Sequence, residues 1–279
     1  MKNIRTPNVA TNGIGSAPPK FLAAFDSHET TGSPTQPSRA RPPTHRVTVT
    51  GVEVVTPHMR RITFEGETLA GLDVPLPAQW LKVVVPNSAS GSQENRAYSI
   101  RSFFPGWRTM EVDFVLHGDT GPVSSWAKRA EVGDVVHLGS PRGGYRVNPD
   151  ARWRLLAGDE TALPAIASIL KATREGETPT SVAIEVPDIQ DEQSLSMSCG
   201  TEVHWLPRDR YRASPGDLLK AWVMRFAIPQ EPGQVFLAGE AATVRAMKGE
   251  IAHRASQAMI DAKGYWLMGQ ANHRDSAER

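Results

Sequence analysis

Between His45 and about Asn148, hydrophobic and polar residues alternate in short runs separated by turns rich in Gly, Pro and Asn. A period of two marks a strand with one face in a core and the other against something polar. The pattern predicts strands over 46–55, 60–65, 79–86, 96–102, 110–117 and 134–139. It is clearest where Val112, Phe114 and Leu116 share one face while Glu111, Asp113 and Val115 share the other. Six strands at this spacing suggest an antiparallel barrel.

After Pro149 the rhythm changes. Strands are predicted over 153–157, 181–186, 202–206 and 234–238, and helices over 162–174, 215–226 and 241–255. Alternation of strand and helix implies a parallel sheet with crossover helices. The helix at 215 carries a start signal: Ser214 at the cap, Pro215 in the first turn and Asp217 three after the cap. The expected fold is therefore β followed by α/β, a barrel domain over 44–149 and an open α/β domain over 150–269. Residues 1–43, rich in Pro, Ser, Thr and Gly, read as a disordered tail, and 270–279 as a flexible one. The apolar patch Phe21 to Phe25 cannot offset the entropy of ordering its flanks.

With 279 residues and 39% hydrophobic content, the chain can build a core in each of two domains. Against 31 basic side chains stand 30 acidic ones, so no overall field favours nucleic acid or an anionic membrane, and attraction for an acidic ligand must be local. Cys199 is the single cysteine, which excludes an internal disulfide and an iron–sulfur or Cys-zinc site. No apolar run reaches the length of a membrane span, and the N-terminus lacks a secretory h-region, so the cytoplasm is the expected compartment.

Three constellations carry candidate chemistry. In Arg96-Ala97-Tyr98-Ser99-Ile100-Arg101, strand periodicity puts Arg96 and Tyr98 on one face. A guanidinium beside an aromatic ring suits a flat ring system with a phosphate tail, although both residues are also common on half-exposed strands. In the run from His117 through Gly121-Pro122-Val123-Ser124-Ser125 to Trp126, a strand breaks and a short helix begins. Its free amides and hydroxyls make either a phosphate seat or an ordinary capped turn. In Gly158-Asp159-Glu160-Thr161-Ala162-Leu163-Pro164, and again at Ala238-Gly239-Glu240, a strand ends in Gly and a helix follows. Both open where a nucleotide lies in a parallel sheet, though each could be a tight turn, and no G-x-G-x-x-G is present. Arg208, Arg210 and Arg212 follow the strand at 202–206 and could meet a 2′-phosphate or simply face solvent.

These residues carry a resemblance. Arg96 to Ser99 resembles the Arg-x-Tyr-Ser/Thr flavin signature of the ferredoxin-reductase superfamily. His117, Gly121-Pro122, Trp126-Ala127, Gly158 to Pro164, Ala238 to Glu240 and Gly264-Tyr265-Trp266 resemble, in order, the siderophore-interacting protein family. The resemblance implies that the barrel binds FAD and the second domain receives NAD(P)H. Arg96, Ala97, Tyr98 and Ser99 would hold the flavin, with Asp113, Val115 and His117 on the neighbouring strand, and Gly121, Pro122, Val123, Ser124 and Ser125 would close on the diphosphate. Gly158, Asp159, Glu160, Thr161, Ala162, Gly239 and Glu240 would border the nucleotide. Tyr265 and Trp266 would return to the flavin or nicotinamide site, or pack terminally against the barrel. Lys82 and, less well placed, Arg142 match the basic residues that receive the anionic ferric chelate, or are surface charges. Leu267 stands where family members carry a further basic residue.

The activity so implied is electron transfer from NAD(P)H, or from a ferredoxin as in some related enzymes, through FAD to an iron(III) siderophore. Hydride reaches the flavin, single electrons leave it, and no acid or base residue is required. Iron arrives as substrate. A general flavin or ferredoxin-type reductase and a non-catalytic siderophore-binding protein are the alternatives on the same scaffold.

Overall fold

The computed structural model describes residues 44–86, 91–116, 121–173, 176 and 178–270. The expected tail over 1–43, the tail beyond 270 and His117 lie outside them. Strands β1 (Thr44–Thr56), β2 (Met59–Glu65), β3 (Gln79–Pro86), β4 (Gln93–Phe104), β5 (Thr109–Val115) and β6 (Val135–Gly139) run in the order β4-β5-β2-β1-β6-β3, and β3 pairs back onto β4. All these pairings are antiparallel, so the ring closes without a free edge. A short β7 (Arg142–Gly143) adds to β3. The inward positions of the alternating strands fill the barrel: Ile62, Phe64, Leu81, Val83, Val112 and Phe114 are fully buried. Each such side chain stabilises by about 1.5–3 kcal/mol. Helix α1 (Pro122–Arg129) joins this core through Val123 and Ala127, and its Trp126 stacks on Phe64 at 6.4 Å between ring centroids.

The second half is a five-stranded parallel sheet. Its strands β8 (Trp153–Asp159), β9 (Thr180–Val186), β10 (Thr201–Pro207), β11 (Gly233–Glu240) and β12 (Ala258–Trp266) stand in the order β10-β9-β8-β11-β12. Helix α2 (Leu163–Thr173) packs Leu163 and Ile166 on one face, against Leu156 and Phe236. Helices α3 (Asp217–Arg225) and α4 (Ala241–Arg254) pack Leu219, Val223, Met247 and Ile251 on the other, against Leu155 and Leu237. The chain leaves β8 in one direction and returns at β11 on its other side. The carboxyl ends of β8 and β11 therefore flank a switch-point crevice, the usual place for a ligand in such a sheet.

Two expectations change. The strand β12 was not foreseen; it forms a paired edge because β11 offers it a full row of backbone partners. The start of α3 is not capped by Ser214: the helix begins at Asp217 after Gly216, and the buried Glu185 carboxylate of β9 accepts the amides of Gly216 at 2.7 Å and Leu219 at 2.8 Å. A carboxylate at a helix start satisfies orphan donors and complements the dipole, so it displaces the weaker Ser cap.

The segment between barrel and sheet is inlaid. Tyr145 is fully buried, packs edge-on against Phe236 at 5.8 Å, and donates its amide to Pro77 O at 2.7 Å. The Gln234 side chain donates to Arg146 O at 2.7 Å and accepts from the amide of Asn148 at 2.9 Å. From the barrel side, the amide of Ala78 donates to the Ser168 hydroxyl of α2 at 2.8 Å.

Candidate functional site

The first neighbourhood lies on the barrel around β4. Arg96 is half-buried; its guanidinium donates to Asn95 O at 2.7 Å and lies 3.7 Å from Glu94. Tyr98 packs on the barrel core, its ring 4.4 Å from that of Phe114, and burial pushes its hydroxyl above the usual value. Ala97 is exposed and Ser99 is buried. On the neighbouring strand Lys82 pairs with Ala97, and Trp80 with Ser99. Arg142 pairs with Trp80 across β7, and its guanidinium sits 6.0 Å from the indole centroid. Strand register thus sets Lys82 beside Ala97 of the motif, and Arg142 one strand further on, across Trp80.

Helix α1 packs against β4 and β3. Its N-cap is Gly121, with no side chain capping it and Pro122 in the first turn. The amide of Ser125 is the first to be bonded within the helix, to Gly121 O at 2.8 Å, so helix geometry leaves those of Val123 and Ser124 without an intrahelical acceptor. The Ser124 hydroxyl faces inward and donates to Val115 O at 3.0 Å, so its amide, rather than its hydroxyl, is what it offers a phosphate. An uncapped helix start, on a helix packed against the strand that carries a guanidinium and a partly buried aromatic ring, fits the diphosphate and ring system of FAD.

Asp113 and Val115, on the neighbouring strand β5, have partners within the barrel and the sheet. Asp113 is buried on the barrel's outer face, held by Arg61 at 2.7 and 2.9 Å and by Arg101 at 3.4 Å. Its hydrogen bonds raise the pKa of Arg61, whereas burial outweighs its charge at Arg101 and lowers that one. With two guanidiniums engaging it, Asp113 is fully accounted for by the barrel's own ion cluster. Val115 is partly buried against the core on the α2 side of the sheet.

The second neighbourhood is the crevice. A methyl on Gly158 would stand 2.4 Å from Ala162 Cβ and 2.7 Å from Ala238 O, so only glycine lets α2 start this close to β11. Gly239, at φ 138°, would place a methyl 2.5 Å from the Asp159 carboxylate. That carboxylate is buried and ties four groups together. It accepts from Thr161 N at 2.9 Å, Thr161 Oγ1 at 2.5 Å, Glu240 N at 2.9 Å and the Trp266 indole at 2.8 Å. Glu240 caps α4 through Thr243 N at 2.7 Å. Trp266 thus ends β12 inside the crevice, and the partly buried Tyr265 packs against the core on the α2 side of the sheet. Ala162 is core.

Burial, and then the Glu160 charge, push Asp159 up to about 6, against hydrogen bonds from Thr161 and Trp266 that pull it down. A carboxyl raised in the fold takes up a proton that the unfolded chain does not hold between its ordinary value and about 6. Stability from this group therefore falls as pH rises through that window. Urea midpoints of the protein, less those of Asp159→Asn, should show this downward slope from pH 4 to 7; a flat difference would refute it.

Arg208 is not available for a 2′-phosphate. Its guanidinium forks onto Glu160 at 3.0 and 3.1 Å and reaches Glu185 at 3.1 Å. Burial alone would lower its pKa, but the hydrogen bonds and charges of Glu160 and Glu185 outweigh that and raise it. Arg210 and Arg212 are exposed. The cluster escaped the sequence reading, although one signal was present: Glu185 interrupts the apolar run Val182-Ala183-Ile184 and Val186, and a buried charge requires partners. Among the described residues, no group of three or more His, Cys, Asp or Glu is placed to hold a metal ion, and no helix is long and apolar enough to cross a membrane.

Comparison with known proteins gives two family matches in sequence order. Residues 48–94 and 91–145 match the siderophore-interacting FAD-binding domain, and residues 151–269 match the siderophore-interacting protein family. The ferric vibriobactin reductase of Vibrio cholerae is 30% identical over 246 residues, covering 81% of this chain and 90% of that one. The ferric acinetobactin reductase of Acinetobacter baumannii is 29% identical over 176 residues, covering 63% and 61%. Among solved structures, a siderophore utilization protein from T. fusca superposes with a TM-score of 0.71 at 28% identity, over 83% of this chain and 95% of that one. The FAD/NAD-binding domain of a nitric oxide dioxygenase from Vibrio cholerae, at 16% identity and TM-score 0.64 over 79% and 98%, shares the fold.

Proposed function

Because the chain belongs to the siderophore-interacting protein family, we propose that it is a flavin-dependent reductase of ferric siderophores, drawing electrons from NAD(P)H. The observation that carries the reading is the uncapped start of α1, a helix packed against the strand that bears Arg96 and Tyr98, within a stretch matched by the family's FAD-binding domain. FAD, when bound, converts a two-electron donor into single-electron steps. One nicotinamide hydride supplies two electrons, so two ferric ions become ferrous and one proton is released.

The chain's own residues bind and orient. The amides of Val123 and Ser124, with Arg96, meet the diphosphate charge. Tyr98 presents an aromatic surface, and Ser99 and Ala97 sit on the same strand toward Trp80 and Lys82. The crevice edged by Gly158, Asp159, Gly239 and Trp266 receives the nicotinamide. Lys82 and Arg142 give a local positive field for an anionic chelate, beside the flavin motif, in a molecule of formal net charge +1.

Anaerobic mixing of the FAD-loaded protein with NADH, then NADPH, should bleach the flavin, and a ferric siderophore should restore its colour. Turnover on free flavin or ferricyanide with none on ferric siderophores would favour a general reductase, and a protein that takes up no FAD would end the proposal. Lys82→Ala should raise KM for an anionic ferric chelate roughly three- to tenfold, with a weaker salt dependence, as expected for a charge that steers encounter. An unchanged KM and salt slope would remove Lys82 from the chelate site.

A further inference from the structure

The turn between β1 and β2, Thr56 to Met59, meets the segment after β9. Asp191 lies in a single 3-10 turn, Ile189–Asp191, and is almost fully buried. Its carboxylate accepts the backbone amide of His58 at 3.2 Å and lies 2.8 Å from His58 Nδ1. It also accepts the amide of Asp188 at 3.2 Å, closing a reciprocal cap that fixes the turn. Two residues on, the Gln193 amide sits 3.1 Å from Met59 Sδ. The segment therefore clasps the turn at main chain and side chain alike.

On its far side the same turn supports the start of α1. His58 O accepts the amide of Leu116 at 2.8 Å, Met59 pairs with Val115, and Val115 O accepts the Ser124 hydroxyl at 3.0 Å. Three short polar links thus run from the parallel sheet to the first turn of α1. Beside the clasp, Thr56, Met59, Glu160 and Leu163 border a shallow surface dimple, and the buried Thr56 hydroxyl finds no hydrogen-bond partner among the described residues.

We infer that Asp191 is a positioning residue for the donor-to-flavin step, acting through the β1–β2 turn to hold the phosphate seat of α1 in register with the crevice of the parallel sheet. The inference rests on the reading of that crevice as the nicotinamide site. Hydride transfer is sensitive to sub-ångström placement, whereas electron transfer from the barrel's outer face to a chelate does not use the crevice.

The test separates the two half-reactions in the FAD-loaded protein. In Asp191→Ala, flavin reduction at saturating NADH or NADPH should slow roughly 10- to 100-fold, while reoxidation of dithionite-reduced flavin by a ferric chelate stays within about twofold of the parent. Asp191→Asn, which keeps an acceptor for the His58 amide, should recover much of the rate, and His58→Ala should show an intermediate loss. These two also give the reading should Asp191→Ala fail to fold, and in the apoprotein Asp191→Ala should speed hydrogen exchange at the amides of His58 and Leu116, unchanged exchange at both overturning the inference. Reduction as fast as in the parent, or an equal loss in both half-reactions, overturns the inference. If neither nucleotide reduces the parent's flavin, the donor reading falls and the inference with it.

Discussion

Glu185→Ala is expected to cost about 3–5 kcal/mol of unfolding free energy, the range for removing one partner of a buried ion pair. Glu185 is fully buried and has three partners: the amides of Gly216 and Leu219 at the start of α3, and the guanidinium of Arg208. Its loss leaves two buried amides unpaired, and α3 has no capping side chain of its own to replace it. It also leaves Arg208 with Glu160 as its remaining carboxylate partner. Urea denaturation would report the loss as a lower midpoint at unchanged slope. Adding Arg208→Met to Glu185→Ala should recover part of it, because the buried charge leaves with its partner. A loss under about 1 kcal/mol would mean that this cluster behaves like a solvated surface pair.

Arg96→Ala is expected to weaken FAD about 10- to 150-fold, since a hydrogen bond between charged groups contributes about 1.5–3 kcal/mol. The prediction follows from the proposed phosphate contact of a side chain whose internal partners are weak: a carbonyl of the adjacent residue and a carboxylate 3.7 Å away. With so little of the barrel depending on it, the apoprotein should keep its thermal midpoint. Fluorescence titration of apoprotein with FAD gives the affinity. Arg96→Lys should recover only part of it, because an ammonium cannot fork onto two oxygens. Unchanged affinity would move the diphosphate elsewhere.

The barrel was legible because its strands alternate clearly in places and are separated by turn residues. Val112 and Phe114 against Glu111 and Asp113 fixed a face as well as a strand, and the observed β3 spans the predicted 79–86. The parallel sheet was legible as a class but not in full. In β12, an edge strand of nine residues, Ile260 and Ala262 pack on one face while Asp261 and Lys263 pair at 3.4 Å on the other, so it carries no continuous apolar run like those of β8 and β11. The site divides in the same way. Glycine-ended strands and a Gly-Pro helix start are local signals. What Asp159 binds is not local, since Trp266 is 107 residues away, and the Asp191–His58 contact spans 133. Sequence periodicity reports which face a residue takes; it is silent on which distant donor meets it there.

The inlaid segment around Tyr145 has a bearing on traffic. A tether whose aromatic ring is sunk into the sheet, and whose peptide groups are spoken for by Gln234, gives the barrel little freedom to swing away. Entry to the crevice is then a matter for its rim rather than for a parting of the two halves.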